Sequence, residues 1–383
     1  MALRIYSNQT TFDAGLERMR WVFDEFPEVI ASVSGGKDST CIFYLALQVA
    51  REKNRLPLKV MFLDQEAEWE STIDTVRKIM EHPDVEPLWL QIPIKLFNAT
   101  SSTDNWLMCW DPKEEHRWMR PREPYAITEN TFGTDRFKEL FDCYLKTMYK
   151  GKKVAYLVGM RGEESPNRLT ALTNSHTYKG RTWGKHYKPR EHYVFYPLYD
   201  WSYMDVWKAI HSNKWDYNPL YDQQYRYGLP IQDMRVSNVH HETAVKSLFY
   251  LQEVEPQTYQ KLTQRIEGID MAGKMGFDDY FPKKLPFMFT DWKEYRDHLL
   301  KYLIQEEWQA SFKKRFADMD NTYSGTGEEQ NLYKTQITSI LTNDWEFVKL
   351  DNWNSRGPAI TARKLKRGVD DAYTRAVRNN QKK

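Results

Sequence analysis

The stretch that most constrains the fold is Ser34-Gly35-Gly36-Lys37-Asp38-Ser39. It lies between an apolar β-branched run with Val29, Ile30 and Val33 and an apolar-striped segment from Thr40 to Ala50. The first run reads as a buried strand and the second as a helix reaching about Lys53. Two adjacent glycines allow a tight turn that aims successive N–H groups at one point, where the helix N-terminus adds its positive dipole end. Ser34, Ser39 and Thr40 offer hydroxyls there, Lys37 can neutralise charge, and Asp38 is suited to a magnesium ion. Strand, turn and helix read as an anion cradle; an unrelated Gly-rich turn is the plainer alternative. A Walker-type P-loop is excluded because no glycine stands five residues before Gly36, and G-x-G-x-x-G is absent as well.

A chain of 383 residues can bury a large core and is expected to hold one large domain and an appended smaller one. With 28% charged residues and no apolar run near eighteen residues, no membrane helix is expected. The first twenty residues lack the apolar core of a signal peptide. Three irregularly spaced cysteines, Cys41, Cys109 and Cys143, read as reduced thiols of a cytoplasmic protein. Their spacing fits neither a zinc site nor a four-cysteine iron–sulfur cluster, and no such cluster is expected. The 14 Trp and 24 Tyr suit either stacking surfaces or wide aromatic packing.

Residues 10–26 have apolar residues at helical spacing, and Pro27 ends that helix before the first strand. Residues 58–63 form a second strand, followed by the acidic run Asp64 to Glu70. Ligands of open α/β sheets bind at such strand ends, so Asp64 or Glu66 is suited to a ribose, a magnesium ion or a substrate amine. Alternatively, Glu66, Glu68 and Glu70 are charges favouring a helix N-terminus, with the helix over 71–80. A third strand is expected over 87–92. Residues 98–124, rich in Trp and Arg, read as a lid or binding insert in which Trp106, Trp110 and Trp118 could stack beside Arg117, Arg120 and Arg122, or as a self-packed insert.

A helix over 134–150 leads to a fourth strand, 153–158, and then to Gly159-Met160-Arg161-Gly162-Glu163-Glu164-Ser165-Pro166-Asn167-Arg168. Arg161 and Arg168 are suited to an α-phosphate or an anionic acceptor, with Glu163 and Glu164 to orient them. The basic run 176–193 reads as a mobile loop, and 194–197 as a short fifth strand. Ser202 and Asp205 then form the signature of a capped helix, and NPLYDQQYRYG (218–228) reads as a Pro/Gly-punctuated turn.

Three motifs in this order, SGGKDS (34–39), GMRGEESPNR (159–168) and YPLYDWSYMDVWKAI (196–210) with NPLYD, resemble the PP-loop ATP pyrophosphatase superfamily. Within it they resemble the phosphoadenosine phosphosulfate (PAPS) reductase-like family, over residues 10–235. The resemblance implies an α/β fold with a parallel five-stranded sheet flanked by helices, adenine nucleotide alpha hydrolase-like, as a nucleotide-binding domain over 1–235. A mostly helical region with a basic tail would follow over 236–383. Nucleotide contacts would fall on Ser34, Gly35, Gly36, Lys37, Asp38, Ser39, Thr40, Asp64, Gly159, Arg161 and Glu163. The working groups would be Lys37, Asp38, Arg161 and Arg168, with ATP as ligand and Mg2+ on Asp38.

The chain is similar in particular to the immunoglobulin-binding regulator A branch, which carries an extra C-terminal region; that similarity implies a ParB-like, DNA-associated partner. It departs from the reductases in having no cysteine beyond Cys143, where they carry a catalytic Glu-Cys-Gly-x-His segment. Three functions therefore stand open: cleavage of ATP between its α and β phosphates with adenylation of an acceptor, nucleotide sensing with a DNA-associated partner, and sulfonucleotide binding without reduction. Nine Lys/Arg stand against two Asp from Arg356 to Lys383. Arg363, Lys364, Lys366 and Arg367 are thus suited to nucleic-acid phosphates, or to no partner at all. His240 and His241 have no companion ligands at metal spacing.

Overall fold

The computed structural model describes residues 8–98, 106–164, 168–169, 172, 177–186, 192–231, 234, 236, 238, 247–269, 283–355 and 357–368. Ser165 to Asn167, His240, His241 and the tail after 368 lie outside the described residues. The chain divides into two compact units. One takes Met1–Leu96, Met108–Val239 and Tyr250–Arg265; the other takes Phe97–Leu107, His240–Phe249 and Ile266–Lys383.

The first unit begins with α1 (Thr11–Glu25), capped by Thr10, whose side chain accepts from Asp13 N. It buries Leu16, Met19, Val22 and Phe23, the face that the helical spacing marks out. Next come β1 (Glu28–Ser32), α2 (Lys37–Glu52), β2 (Leu58–Leu63), α3 (Glu70–Met80) and β3 (Val85–Leu90). Helix α2 starts three residues before Thr40 because Gly36 takes extended backbone at the N-cap and frees Lys37 to open the first turn. A separate two-stranded sheet pairs β4 (Ile94–Phe97) with β5 (Trp106–Cys109), two strands that the bounds of the units divide. After α4 (Phe137–Met148) the main sheet resumes with β6 (Val154–Leu157), β7 (Thr177–Tyr178), β8 (Arg181–His186) and β9 (His192–Phe195). Helices α5 (Tyr203–Asn213), α6 (Leu220–Tyr227) and α7 (Pro256–Arg265) also belong to this unit; α6 fills most of the segment read as a turn, with Pro219 at its N-cap and Gly228, at positive φ, at its C-cap. Ser202 and Asp205 form the expected capping box of α5.

The main sheet has seven strands in the order β3-β2-β1-β6-β9-β8-β7, not five. It is also mixed. The strands from β3 to β9 run parallel, as expected, whereas β8 pairs antiparallel with β9 and with β7. The extra strands lie in the run read as a mobile loop. Their turn passes through Lys179 and Gly180, both at positive φ, which matches strand twist in a two-residue hairpin. Trp183 meets Trp21 edge-on at 5.5 Å, and the Arg181 guanidinium lies 4.1 Å over the Trp21 ring. The basic residues conceal an aromatic face that holds the hairpin in the sheet.

The second unit is largely helical: α8 (Trp292–Tyr302), α9 (Glu306–Tyr323), α10 (Glu329–Leu341), α11 (Val348–Asn354) and α12 (Gly357–Lys366). Its core gathers Phe312, Phe316, Tyr323, Leu332, Trp345 and Trp353. Among the described residues no helix is long and apolar enough to cross a membrane.

Candidate functional site

Strand β1 has β2 on one side and β6 on the other, so the strand order reverses there and a crevice opens past the carboxyl ends of β1 and β6. A cleft of about 320 Å³ occupies that place, lined among others by Ser34, Gly36, Asp38, Ser39, Gly159 and Arg168. Gly35 makes the turn. Its φ is +68°, and a Cβ on it would stand 2.7 Å from Thr72 Cγ2. Ser39 Oγ donates to Gly36 O at 2.9 Å and accepts Ser34 N at 3.0 Å, and Thr40 Oγ1 also donates to Gly36 O, at 3.0 Å. These hydroxyls build the turn first. Ser34 and Ser39 also line the cleft, whereas Thr40 is buried behind it.

Two residues to which the sequence reading assigned no role hold the turn from outside. Asn218 Nδ2 donates to Gly35 O at 3.2 Å and to Thr72 Oγ1 at 2.9 Å, and Lys37 N donates to Tyr221 OH at 3.2 Å. The NPLYD segment was the available signal, but spacing alone does not say that it reaches back 183 residues to Gly35.

Asp38 and Arg161 are brought together. Arg161 Nε donates to Asp38 Oδ1, and Lys37 Nζ lies 2.9 Å from Asp38 Oδ2. Arg161 is buried, 4% exposed, and its Nη1 reaches Glu163 Oε2 at 3.3 Å and Trp201 O at 3.5 Å. Gly159 allows this approach: a Cβ there would lie 2.8 Å from Asp38 C and 2.9 Å from Ser39 N. Arg168 lines the cleft and forms an ion pair with Glu164.

Asp64 is placed elsewhere, fully buried past β2. Its carboxylate accepts from Glu66 N at 2.9 Å, Trp89 Nε1 at 2.8 Å, Gln91 Nε2 at 2.9 Å and Arg120 Nη2. Glu66 is equally enclosed, accepting Trp110 N at 2.7 Å and Arg265 Nη2 at 3.1 Å. Burial, with the Asp64 carboxylate nearby, pushes the Glu68 carboxyl up to about 8, so it is mostly protonated at neutral pH. Of the three glutamates offered to a helix N-terminus, only Glu70 sits in the first turn of α3.

Four of the insert's arginines and tryptophans engage one another, whereas Arg117 donates to Glu114 and to the Arg265 carbonyl. Arg120 lies 5.2 Å over the Trp110 ring, Arg122 lies 4.5 Å over Trp118, and Trp110 meets Trp118 edge-on at 5.3 Å. Of the basic residues offered to nucleic acid, Arg363 donates to Asn354 O at 2.8 Å and Lys366 to Asn321 O at 2.6 Å. Lys364 and Arg367 lie beside them, Lys364 in α12 and Arg367 just past its end. Cys41 and Cys109 are buried, and burial raises both thiols far above their ordinary value.

Among the described residues no group of three or more His, Cys, Asp or Glu could hold a metal ion. Asp38, the residue suited by sequence to magnesium, has both oxygens engaged by cations. That donor set does not fit a magnesium ion held by the protein. The turn, hydroxyls and Arg168 do fit a phosphate-bearing ligand: Lys37 N is taken by Tyr221 OH, but the next two N–H groups of α2, on Asp38 and Ser39, have no helical carbonyl to bond, and both residues line the cleft.

Residues 28–227 match the family model described as the phosphoadenosine phosphosulfate reductase domain, and residues 228–378 match a domain of unknown function (DUF3440). The Escherichia coli (strain K12) protein YbdN, itself described as uncharacterized, is 27% identical over 83% of this chain and 81% of its own length. An adenosine 5'-phosphosulfate reductase of Lysinibacillus sphaericus (strain C3-41) is 22% identical over 56% of this chain and 77% of its own. Candida glabrata FMN adenylyltransferase, solved with FAD and inorganic pyrophosphate, is 13% identical over 57% of this chain and 64% of that one. Its TM-score of 0.36 is too low to support a functional reading.

Proposed function

The chain belongs to the phosphoadenosine phosphosulfate reductase domain family, and from that premise we propose that it binds an adenine nucleotide in the β1–β6 cleft and uses ATP rather than reducing a sulfonucleotide. In this reading the pyrophosphate end of ATP lies on Ser34 to Ser39 and the α-phosphate faces Arg168. An acceptor oxygen or nitrogen attacks the α-phosphorus, the bond between that phosphorus and the bridging oxygen breaks, and pyrophosphate leaves with the electron pair. The acceptor's proton passes to solvent and the acceptor is adenylated. Positioning and charge neutralisation suffice for such a displacement, so the chain needs no nucleophile of its own.

One observation favours adenylation over reduction: no cysteine lines the cleft. Sulfonucleotide reduction needs a thiolate nucleophile. Cys41 lies on the buried face of α2 with its thiol raised by burial, Cys109 is enclosed near Glu66, and no cysteine follows Cys143. The same observation leaves room for a second reading, a nucleotide-sensing regulator of the regulator A kind that acts with a ParB-like, DNA-associated partner.

Calorimetric titration with ATP, adenosine phosphosulfate and PAPS, followed by assays for pyrophosphate, AMP and sulfite, tests these readings. The expected outcome is ATP binding with pyrophosphate release once an acceptor is supplied. Sulfite release from a sulfonucleotide in the presence of a thiol reductant would overturn the proposal. ATP binding without products, but with altered retention of DNA, would favour the regulator.

A further inference from the structure

Asp38 and Arg161 are the two residues that the sequence offers most directly to a bound nucleotide, one through a metal ion and the other through a phosphate. Their surroundings suggest different roles. We propose that Asp38 is the counter-ion that positions Arg161 and Lys37, and that any divalent cation arriving with the nucleotide is carried by its phosphates and by water, not by Asp38. The inference rests on reading the β1–β6 cleft as an adenine-nucleotide site and extends that reading to how the site is charged.

Each oxygen of Asp38 already accepts from a cationic group: Oδ2 from Lys37 Nζ at 2.9 Å, Oδ1 from Arg161 Nε. A divalent ion on this carboxylate would sit against an ammonium and a guanidinium, both within hydrogen-bond reach of the same oxygens. Binding it would mean either like-charge repulsion or release of Arg161 from its partner. Release is disfavoured because Arg161 is buried and joins several segments. Its Nη1 meets Glu163 Oε2 and Trp201 O, and its Nη2 lies 3.8 Å from Glu164 Oε1. Glu163 Oε2 in turn accepts Tyr203 N, the first residue of α5, at 2.7 Å. The backbone closes the other side, since Gly159 leaves no room for a side chain against Asp38 C and Ser39 N.

Arg161 is therefore where the three sequence motifs meet. Asp38 belongs to the first, Glu163 and Glu164 to the second, and Trp201 and Tyr203 to the third. Arg161 is a positioning residue here, and Arg168, which lines the cleft, is the arginine placed to meet a phosphate.

The test compares ATP affinity by calorimetry in excess Mg2+ and in excess EDTA, for the wild type, Asp38→Asn and Arg161→Lys, with circular dichroism to confirm folding. Loss of a charge-assisted contact predicts about 10- to 100-fold weaker binding for each variant, by the same factor in both buffers. A loss in Asp38→Asn confined to the Mg2+ titration would overturn the proposal and make Asp38 a metal ligand. Should Asp38→Asn not fold, Arg161→Lys decides alone. Equal weakening in the two buffers supports the counter-ion role, whereas tighter binding in Mg2+ only, from a carboxylate freed for the ion, overturns it. A wild type that binds no adenine nucleotide in either buffer overturns the nucleotide reading and this inference with it, a result distinct from a Mg2+-only loss.

Discussion

Two carboxylate–guanidinium clusters lie past the carboxyl ends of the neighbouring strands β1 and β2, and they differ in what they leave open. Past β1, Asp38 and Arg161 support a cleft with hydroxyls and a second arginine on its wall. Past β2, Asp64, Glu66 and Glu68 are enclosed with Arg120 and Arg265, and the carboxylates of Asp64 and Glu66 accept from indole, amide, guanidinium and backbone donors. Both place carboxylates against guanidinium groups past a strand end. Donor saturation separates them: a carboxylate surrounded by protein donors stabilises its segments and has little left to offer a ligand. The backbone agrees, since Glu66 and Trp110 both adopt left-handed φ, at +61° and +53°, and are held there by the bond from Trp110 N to Glu66.

The comparison can be broken most forcefully at Arg265. Arg265→Met leaves the buried Glu66 carboxylate without its guanidinium and is expected to lower unfolding free energy by about 3–5 kcal/mol in urea denaturation. ATP affinity of the folded protein should stay within twofold of wild type; a collapse in affinity would place the enclosed cluster in the site after all. Gly159→Ala tests the other cluster, forcing a methyl to within 2.8 Å of the Asp38 backbone. It is expected to cost about 1–3 kcal/mol and, unlike the Arg265 variant, to weaken nucleotide binding as well.

The smallest effect at pH 5 is expected from Glu68→Gln. In the folded chain this carboxyl keeps its proton up to about pH 8, whereas the unfolded chain loses it near 4.5. Wild-type stability from this group is therefore full below about pH 4.5 and falls progressively as pH rises to about 8. The Gln variant should match wild type at pH 5 and gain on it up to pH 8, by on the order of a few kcal/mol. Parallel denaturation curves for the two proteins at pH 5, 6.5 and 8.5 would sink the assignment if their difference stayed constant.

Much of this was legible in local pattern. The β-branched run before Ser34, the two glycines and the striped helix after them place the cradle, and Ser202 with Asp205 marks the start of α5, because strand, turn and cap chemistry act within a few residues. The β7–β8 hairpin was hidden because Lys and Arg side chains can cover aromatic faces with their stems, so that a basic run resembles a loop. Asp64 was misleading for a related reason. Its four hydrogen-bond donors come from Glu66, Trp89, Gln91 and Arg120, three of them more than twenty residues away.

Residue order alone decided the parallel core of the sheet, the Gly-rich turn and the family, since each depends on periodicity and short-range geometry. Tertiary structure decided which charges line the cleft. Arg161 and Arg168 are chemically equal in the sequence, yet one is enclosed by carboxylates and a carbonyl, whereas the other, paired with Glu164, stays exposed on the cleft wall. A charge becomes available or spent according to the donors and acceptors that long-range packing brings within about 3 Å of it, and no local pattern records those partners.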